Sequence, residues 1–221
     1  MGIEQGLISF LMMNMDIIYL LDLAGTAVFA ISGVQVAGQM RMDPFGATVL
    51  AAVTAIGGGT IRDAILDVGP AFWVHDPVYL TVIILTSMLT ILFANRNHRM
   101  PPILLPLADA AGLALFTVLG TQKALAYGAP GMTAVVMGVI TGVAGGIIRD
   151  LLASRVPMVL QKDIYATASV LGGVVYTGAL LIGITEGWAM LFAMTGVFVL
   201  RMAAVHWHLR LPMFVLKHHR E

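Results

Sequence analysis

Seven apolar stretches, most of about 20 residues, divide the chain at 17–38, 45–66, 77–94, 103–125, 131–153, 164–184 and 187–207. That length crosses about 30 Å of hydrocarbon as a helix. Alternating segments of about 10 residues, the signature of a transmembrane barrel, are missing. Helix-breaking punctuation falls between the stretches: Asp43-Pro44, Asp76-Pro77, Pro101-Pro102, Pro130-Gly131 and Pro157. Trp188 and Trp207 mark the two ends of the seventh stretch, where amphipathic rings favour a membrane interface. The pattern predicts an all-α, polytopic membrane protein with seven transmembrane helices.

Composition agrees. Of 221 residues, 59% are hydrophobic and 11% charged, and mean hydropathy is +0.92. Soluble domains carry about 25% charged residues, so too little polar surface is left here to cover a particle in water. The net charge of zero suggests no nucleic-acid partner. The absence of cysteine excludes disulfides, thiol nucleophiles and thiolate metal sites. No hydrolase, metalloprotease or phosphate-loop signature is present, so an enzyme is not expected and no cofactor is implied. Met1 to Asn14 carries Glu4 but no Lys or Arg, which does not read as a signal peptide.

Charge placement then orients the chain. Arg41, Arg96 with Arg99, Arg155 with Lys162, and Arg210 with Lys217 and Arg220 fall on one side if there are seven crossings. The other side holds Glu4, Asp67, Asp76 and Glu186, with Arg62 and Lys123 as its basic candidates. Basic loops stay in the cytoplasm, so the expected protein is a multi-pass component of the inner (plasma) membrane, N-terminus outside and C-terminus cytoplasmic. His206, His208, His218 and His219 read as part of a basic tail on anionic lipid, with metal binding as the weaker alternative. No metal site is assigned.

An internal repeat is visible at a single offset: 149 − 62 = 87 aligns Arg62-Asp63 with Arg149-Asp150. The same offset matches Asp22 with Asp109, Gly25 with Gly112, Phe29 with Phe116, Gln35 with Gln122, Thr54 with Thr141, and Gly58-Gly59 with Gly145-Gly146. Forward of the motif it pairs Asp76 with Asp163, without a gap. Three spans is an odd number, so the second copy would enter the membrane from the opposite face. The expected organisation is an N-terminal extracytoplasmic segment (1–15), a first repeat (16–98), an inverted second repeat (99–185), one extra helix (186–208) and a basic cytoplasmic tail (209–221). Such proteins usually carry a solute path where the repeats meet.

The candidate site residues lie on the repeated motif. Gly57, Gly58 and Gly59, and Gly145 and Gly146, either kink two helices around a path or let them pack closely, as the small-residue spacing Ala47, Ala51, Ala55, Gly59 also allows. Thr54 and Thr141 could offer hydroxyls to an ion or bond back to their own helices. Intramembrane charge is costly and functional by default. The expected ion pairs are Asp22 with Arg62 near the outer mouth and Asp109 with Arg149 near the inner, with Asp63 and Asp150 capping or neutralising the arginines. Lys123, whose repeat partner is Val36, either tunes a pore or snorkels to the interface.

The stretches Gly57-Gly-Gly-Thr-Ile-Arg-Asp63 and Gly145-Gly-Ile-Ile-Arg-Asp150 resemble those of the prokaryotic TRIC family, the trimeric intracellular cation channels, also labelled a glycine transporter domain. The likeness covers residues 16–207. It implies a homotrimer in membrane lipid, each subunit with an hourglass pore for monovalent cations, chiefly K⁺ with Na⁺ as another permeant ion. The glycines of the second and fifth helices would bend around that pore, and Lys123 is similar to the basic residue that the family places on its fourth helix. The Lys-Glu-Val motif of the animal members is missing. The alternative is a secondary transporter of a small solute such as glycine, working by alternating access. A non-conducting scaffold is a third reading, against which the buried charges speak.

Overall fold

The computed structural model describes residues 2–97, 100–161 and 164–209. Arg99, Lys162, Asp163 and the tail residues Arg210, Lys217, His218, His219 and Arg220 lie outside the described residues. All regular structure among the described residues is helical: α1 (Gly2–Gln39), α2 (Pro44–Ile65), α3 (Phe72–His75), α4 (Val78–Asn97), α5 (Leu104–Ala126), α6 (Gly131–Leu152), α7 (Met158–Gln161), α8 (Ala166–Leu181) and α9 (Glu186–His206).

Six of these helices are long and apolar enough to cross a membrane; α8 is apolar but has only 16 residues. The expected sixth span, 164–184, is thus cut short. Gly183 takes φ +83°, and Gly183 N and Ile184 N bond back to Leu180 O and Ala179 O, the left-handed ending that glycine favours. At its other end the chain bears the one-turn α7, which hydropathy does not reveal. α1, in contrast, continues back to Gly2 through the segment expected to precede the first span.

α5 is the central helix: 72% of its apolar window is buried, against 22% for α4. It packs on α6, α1, α8 and α9, while α2 lies against α1, α4 and α6. The outward faces are greasy, as at Leu85, Met88, Leu89, Leu92 and Phe93 of α4. Lipid, which needs no hydrogen bonds, suits such a surface.

Helix ends repeat at the predicted offset. Arg41 and Gly128 both adopt left-handed φ after α1 and α5, and Asp67 and Ser154 do so after α2 and α6. Beyond that point the register changes. Four residues separate Asp67 from Phe72, but three separate Ser154 from Met158. Phe72 N donates to Asp63 Oδ2 and Met158 N to Asp150 Oδ2, so the equivalent residues are here 86 apart. The gapless alignment that paired Asp76 with Asp163 is therefore corrected: one loop residue is missing in the second copy.

Candidate functional site

α2 and α6 cross at the repeated glycines. A Cβ placed on Gly58 would collide with the Thr141 carbonyl, and one on Gly145 with the Thr54 carbonyl. The contact is reciprocal. Gly25 and Gly112 behave alike, each leaving room only for the ring of Phe116 or Phe29, and those two rings lie 5.2 Å apart. Both helices run unbroken through the glycines. Close packing, one of the two readings of Gly58 and Gly145, is what this geometry exhibits. Gly59 and Gly146 instead face Phe72 and the Tyr165 hydroxyl, and Gly57 faces Ile148. Thr54 and Thr141 donate to Leu50 O and Met137 O, both at 2.6 Å, so each hydroxyl bonds back to its own helix.

Two charge clusters flank this crossing. In the first, Arg62 Nε and Lys123 Nζ both reach Asp63 Oδ1 at 2.8 Å. Asp22 is not paired with Arg62 as expected. Its Oδ2 takes the Tyr79 hydroxyl at 2.6 Å. The reason is local: Arg62 turns to its own neighbour Asp63, Lys123 arrives as a second cation, and Tyr79 offers Asp22 a neutral donor. Lys123 is 26% exposed at its side chain while ion-paired.

In the second cluster Arg149 is the hub. Its Nη1 meets Asp109 Oδ1 at 3.0 Å and its Nε meets Asp150 Oδ1 at 2.9 Å. Nη1 also donates to Ser32 Oγ. Tyr165 donates to Asp109 Oδ1 at 3.1 Å. Arg201 of α9 approaches Asp109 Oδ2 at 3.9 Å, lies over the Tyr165 ring at 4.5 Å and donates to Ile164 O at 3.3 Å. Asp109 and Arg149 are fully buried. Leaving water costs each ion several kcal/mol, and mutual pairing offsets this only with good geometry.

Sequence reasoning missed Arg201, Ser32, Tyr79 and Tyr165. Arg201 was findable, since it is the one charged residue inside an otherwise apolar seventh stretch. The tyrosines carried no signal, because the one-residue slip hides the equivalence of Tyr79 and Tyr165 at offset 87. Among the described residues no group of three or more His, Cys, Asp or Glu side chains could hold a metal.

Comparison with known proteins then places the chain. The family model described as Glycine transporter matches residues 19–95 and again 106–180. The Escherichia coli UPF0126 inner membrane protein YadS is 52% identical over 201 residues, covering 90% of this chain and 97% of that protein. A UPF0126 membrane protein of Vibrio cholerae is 50% identical over 204 residues, covering 92% and 85%. The crystal structure of the TRIC trimeric intracellular cation channel orthologue from Rhodobacter sphaeroides superposes with a TM-score of 0.83 at 37% identity, covering 87% of this chain and 99% of that one. On these grounds the chain belongs to the TRIC family.

Proposed function

We propose that this protein is a cation channel of the bacterial inner membrane, passing monovalent cations and chiefly K⁺, with one path in each subunit of a homotrimer. The path runs between the two charge clusters, past the closely packed α2–α6 crossing rather than through it. The observation that carries this reading is the placement of buried charge on either side of a tight glycine crossing. Asp22, Arg62, Asp63 and Lys123 sum to zero at one end, and Asp109, Arg149, Asp150 and Arg201 at the other. Ionisable residues inside a membrane pair with one another or face a wet cavity, and they mark substrate and ion pathways. Lys123, ion-paired yet partly exposed, would tune cation passage.

The topology proposed with it is seven spans, with α8 as the short sixth, arranged as two inverted repeats (16–98 and 99–185) plus α9 (within 186–208). The double match of the family model and the reciprocal Gly58–Thr141 and Gly145–Thr54 contacts support that arrangement. The basic loops support an outside N-terminus and a cytoplasmic C-terminus. The Rhodobacter sphaeroides relative is itself described as a trimeric intracellular cation channel.

A second reading, alternating-access transport of glycine, is favoured by the description of the matching family model. Planar-bilayer recording of the purified protein under a KCl gradient separates the two. Discrete currents reversing toward the K⁺ potential are expected. Silence at both polarities, together with saturable glycine uptake into liposomes, would overturn the channel reading.

A further inference from the structure

Four aspartates occupy the two charge clusters, and three of them touch a cation. Asp63 holds Arg62 and Lys123, while Asp109 and Asp150 both hold Arg149. Asp22 is the exception: among the described residues no cation lies within ion-pairing distance of it. Its Oδ2 accepts from the neutral Tyr79 hydroxyl at 2.6 Å. Its Oδ1 has no hydrogen-bond partner among the described residues, yet it is not one of the enclosed polar atoms that lack one. Asp22 is half-buried, near the outer end of the apolar window Asp16–Gln39. A charge at that depth pairs or faces a wet cavity, so the open oxygen is left to a partner from outside the chain.

The second repeat indicates what kind of partner fits. Tyr165, equivalent to Tyr79 at the offset of 86, donates to Asp109 Oδ1 at 3.1 Å. The same tyrosine–aspartate pair therefore stands at both ends. On Asp109 the Arg149 guanidinium comes in at 3.0 Å, and Arg201 approaches the other oxygen at 3.9 Å. Arg62, the equivalent of Arg149, bonds Asp63 instead. The seat that a guanidinium fills on Asp109 is left on Asp22 for a cation that is not part of the chain. Charge balance agrees, because Arg62, Lys123 and Asp63 carry one net positive charge and Asp22 cancels it. Tyr79 holds this carboxylate in place without neutralising it. Its own ring is fixed, edge-on to Phe72 at 4.6 Å and to Tyr19 at 6.1 Å, and Tyr19 donates to Asp76 Oδ2 at 2.7 Å.

We propose that Asp22 is the cation-coordinating carboxylate of the outer mouth, where a permeant monovalent cation exchanges hydration water for its open oxygen, and that Tyr79 is its positioning residue. The inference rests on the channel reading above and names the group that selects the ion. A divalent cation fits poorly, since a single carboxylate beside two cations offers few oxygens and little net charge.

Single-channel currents of Asp22→Asn in planar bilayers test it. The amide keeps the size and an acceptor for Tyr79 but drops the charge. Conductance at low KCl should fall about fivefold, the effect of one unit charge about 4 Å away in water, and the loss should shrink at high salt. The reversal potential under a KCl gradient should move toward zero as Cl⁻ enters. Asp22→Glu should keep cation selectivity. Tyr79→Phe keeps the charge but loosens the carboxylate, so selectivity should persist while the half-saturating K⁺ concentration rises. Should Asp22→Asn not fold, Asp22→Ser carries the same expectations. Unchanged conductance and selectivity in folded Asp22→Asn would overturn the site and leave the channel reading intact; a proton resident on Asp22 would give that result. Full recovery of the currents when Lys123→Met is added to Asp22→Asn would also overturn it, reducing Asp22 to a counter-charge for Lys123. Silence of the wild type itself would remove the site together with the channel.

Discussion

Arg62 and Arg149 stand at equivalent positions, and each bonds through Nε to the aspartate that follows it. Around that shared core the two ends of the molecule are wired oppositely. At the first end a carboxylate is the hub: Asp63 Oδ1 holds both Arg62 and Lys123. At the second a guanidinium is the hub: Arg149 holds Asp109, Asp150 and Ser32. The difference traces to two residues that the duplication does not share. Lys123 faces Asp63, while its repeat partner Val36 brings no cation to the other end. Arg201 reaches Asp109 from α9, the helix outside the repeat. One end has a partly exposed cation; the cations of the other are buried. The two Arg-Asp motifs therefore form similar frames, and the residues they do not share set how each frame is wired.

The sharpest way to break that comparison is to remove the two hubs' arginines in turn. Arg149→Met leaves Asp109 and Asp150 buried without their main cation and should cost about 3–5 kcal/mol, read by unfolding in detergent. Arg62→Met should cost clearly less, because Lys123 remains on Asp63. Equal losses would show that the two ends are wired alike. The glycine crossing is the control that should not distinguish the ends: Gly58→Ala and Gly145→Ala each force a Cβ onto a facing carbonyl and should each cost about 1–3 kcal/mol. A cost confined to one of them would contradict the reciprocal contact.

Arg201→Met removes a buried cation over Tyr165 but leaves Asp109 its bond to Arg149, so about 1–2 kcal/mol is expected, again from unfolding midpoints. The smallest stability change belongs to Lys123→Met, about 0.5–1 kcal/mol, since the lysine is partly exposed. Its conductance should rise, however, as a positive charge leaves the proposed cation path. Unchanged single-channel currents in folded Lys123→Met would return the residue to a purely interfacial role.

Much of this was legible before any coordinates. The offset of 87 aligned the glycine runs and the two Arg-Asp motifs, and the depth of the charges along their helices brought Asp109 to Arg149, a contact the structure contains. Partner choice was not legible. The pairing of Asp22 with Arg62 failed because symmetry in sequence was extended to a place where the cations are not symmetric. The equivalence of Tyr79 and Tyr165 was hidden by one missing residue in a loop.

Sequence alone determined the class of environment, an all-helical membrane protein, and the repeated register of the Gly, Arg and Asp motif. Each follows from local chemistry: apolar length, prolines and glycines at breaks, and a repeated register of polar residues. Tertiary structure alone decided which carboxylate each cation holds, that the glycines of α2 and α6 pack against each other's helix, and that α9 supplies Arg201 to Asp109 and Glu186 to Gln122. Those outcomes depend on distances between residues far apart in the chain. A buried charge or amide accepts whichever partner the packing brings within about 3 Å, and no periodicity along one helix records where another helix will lie.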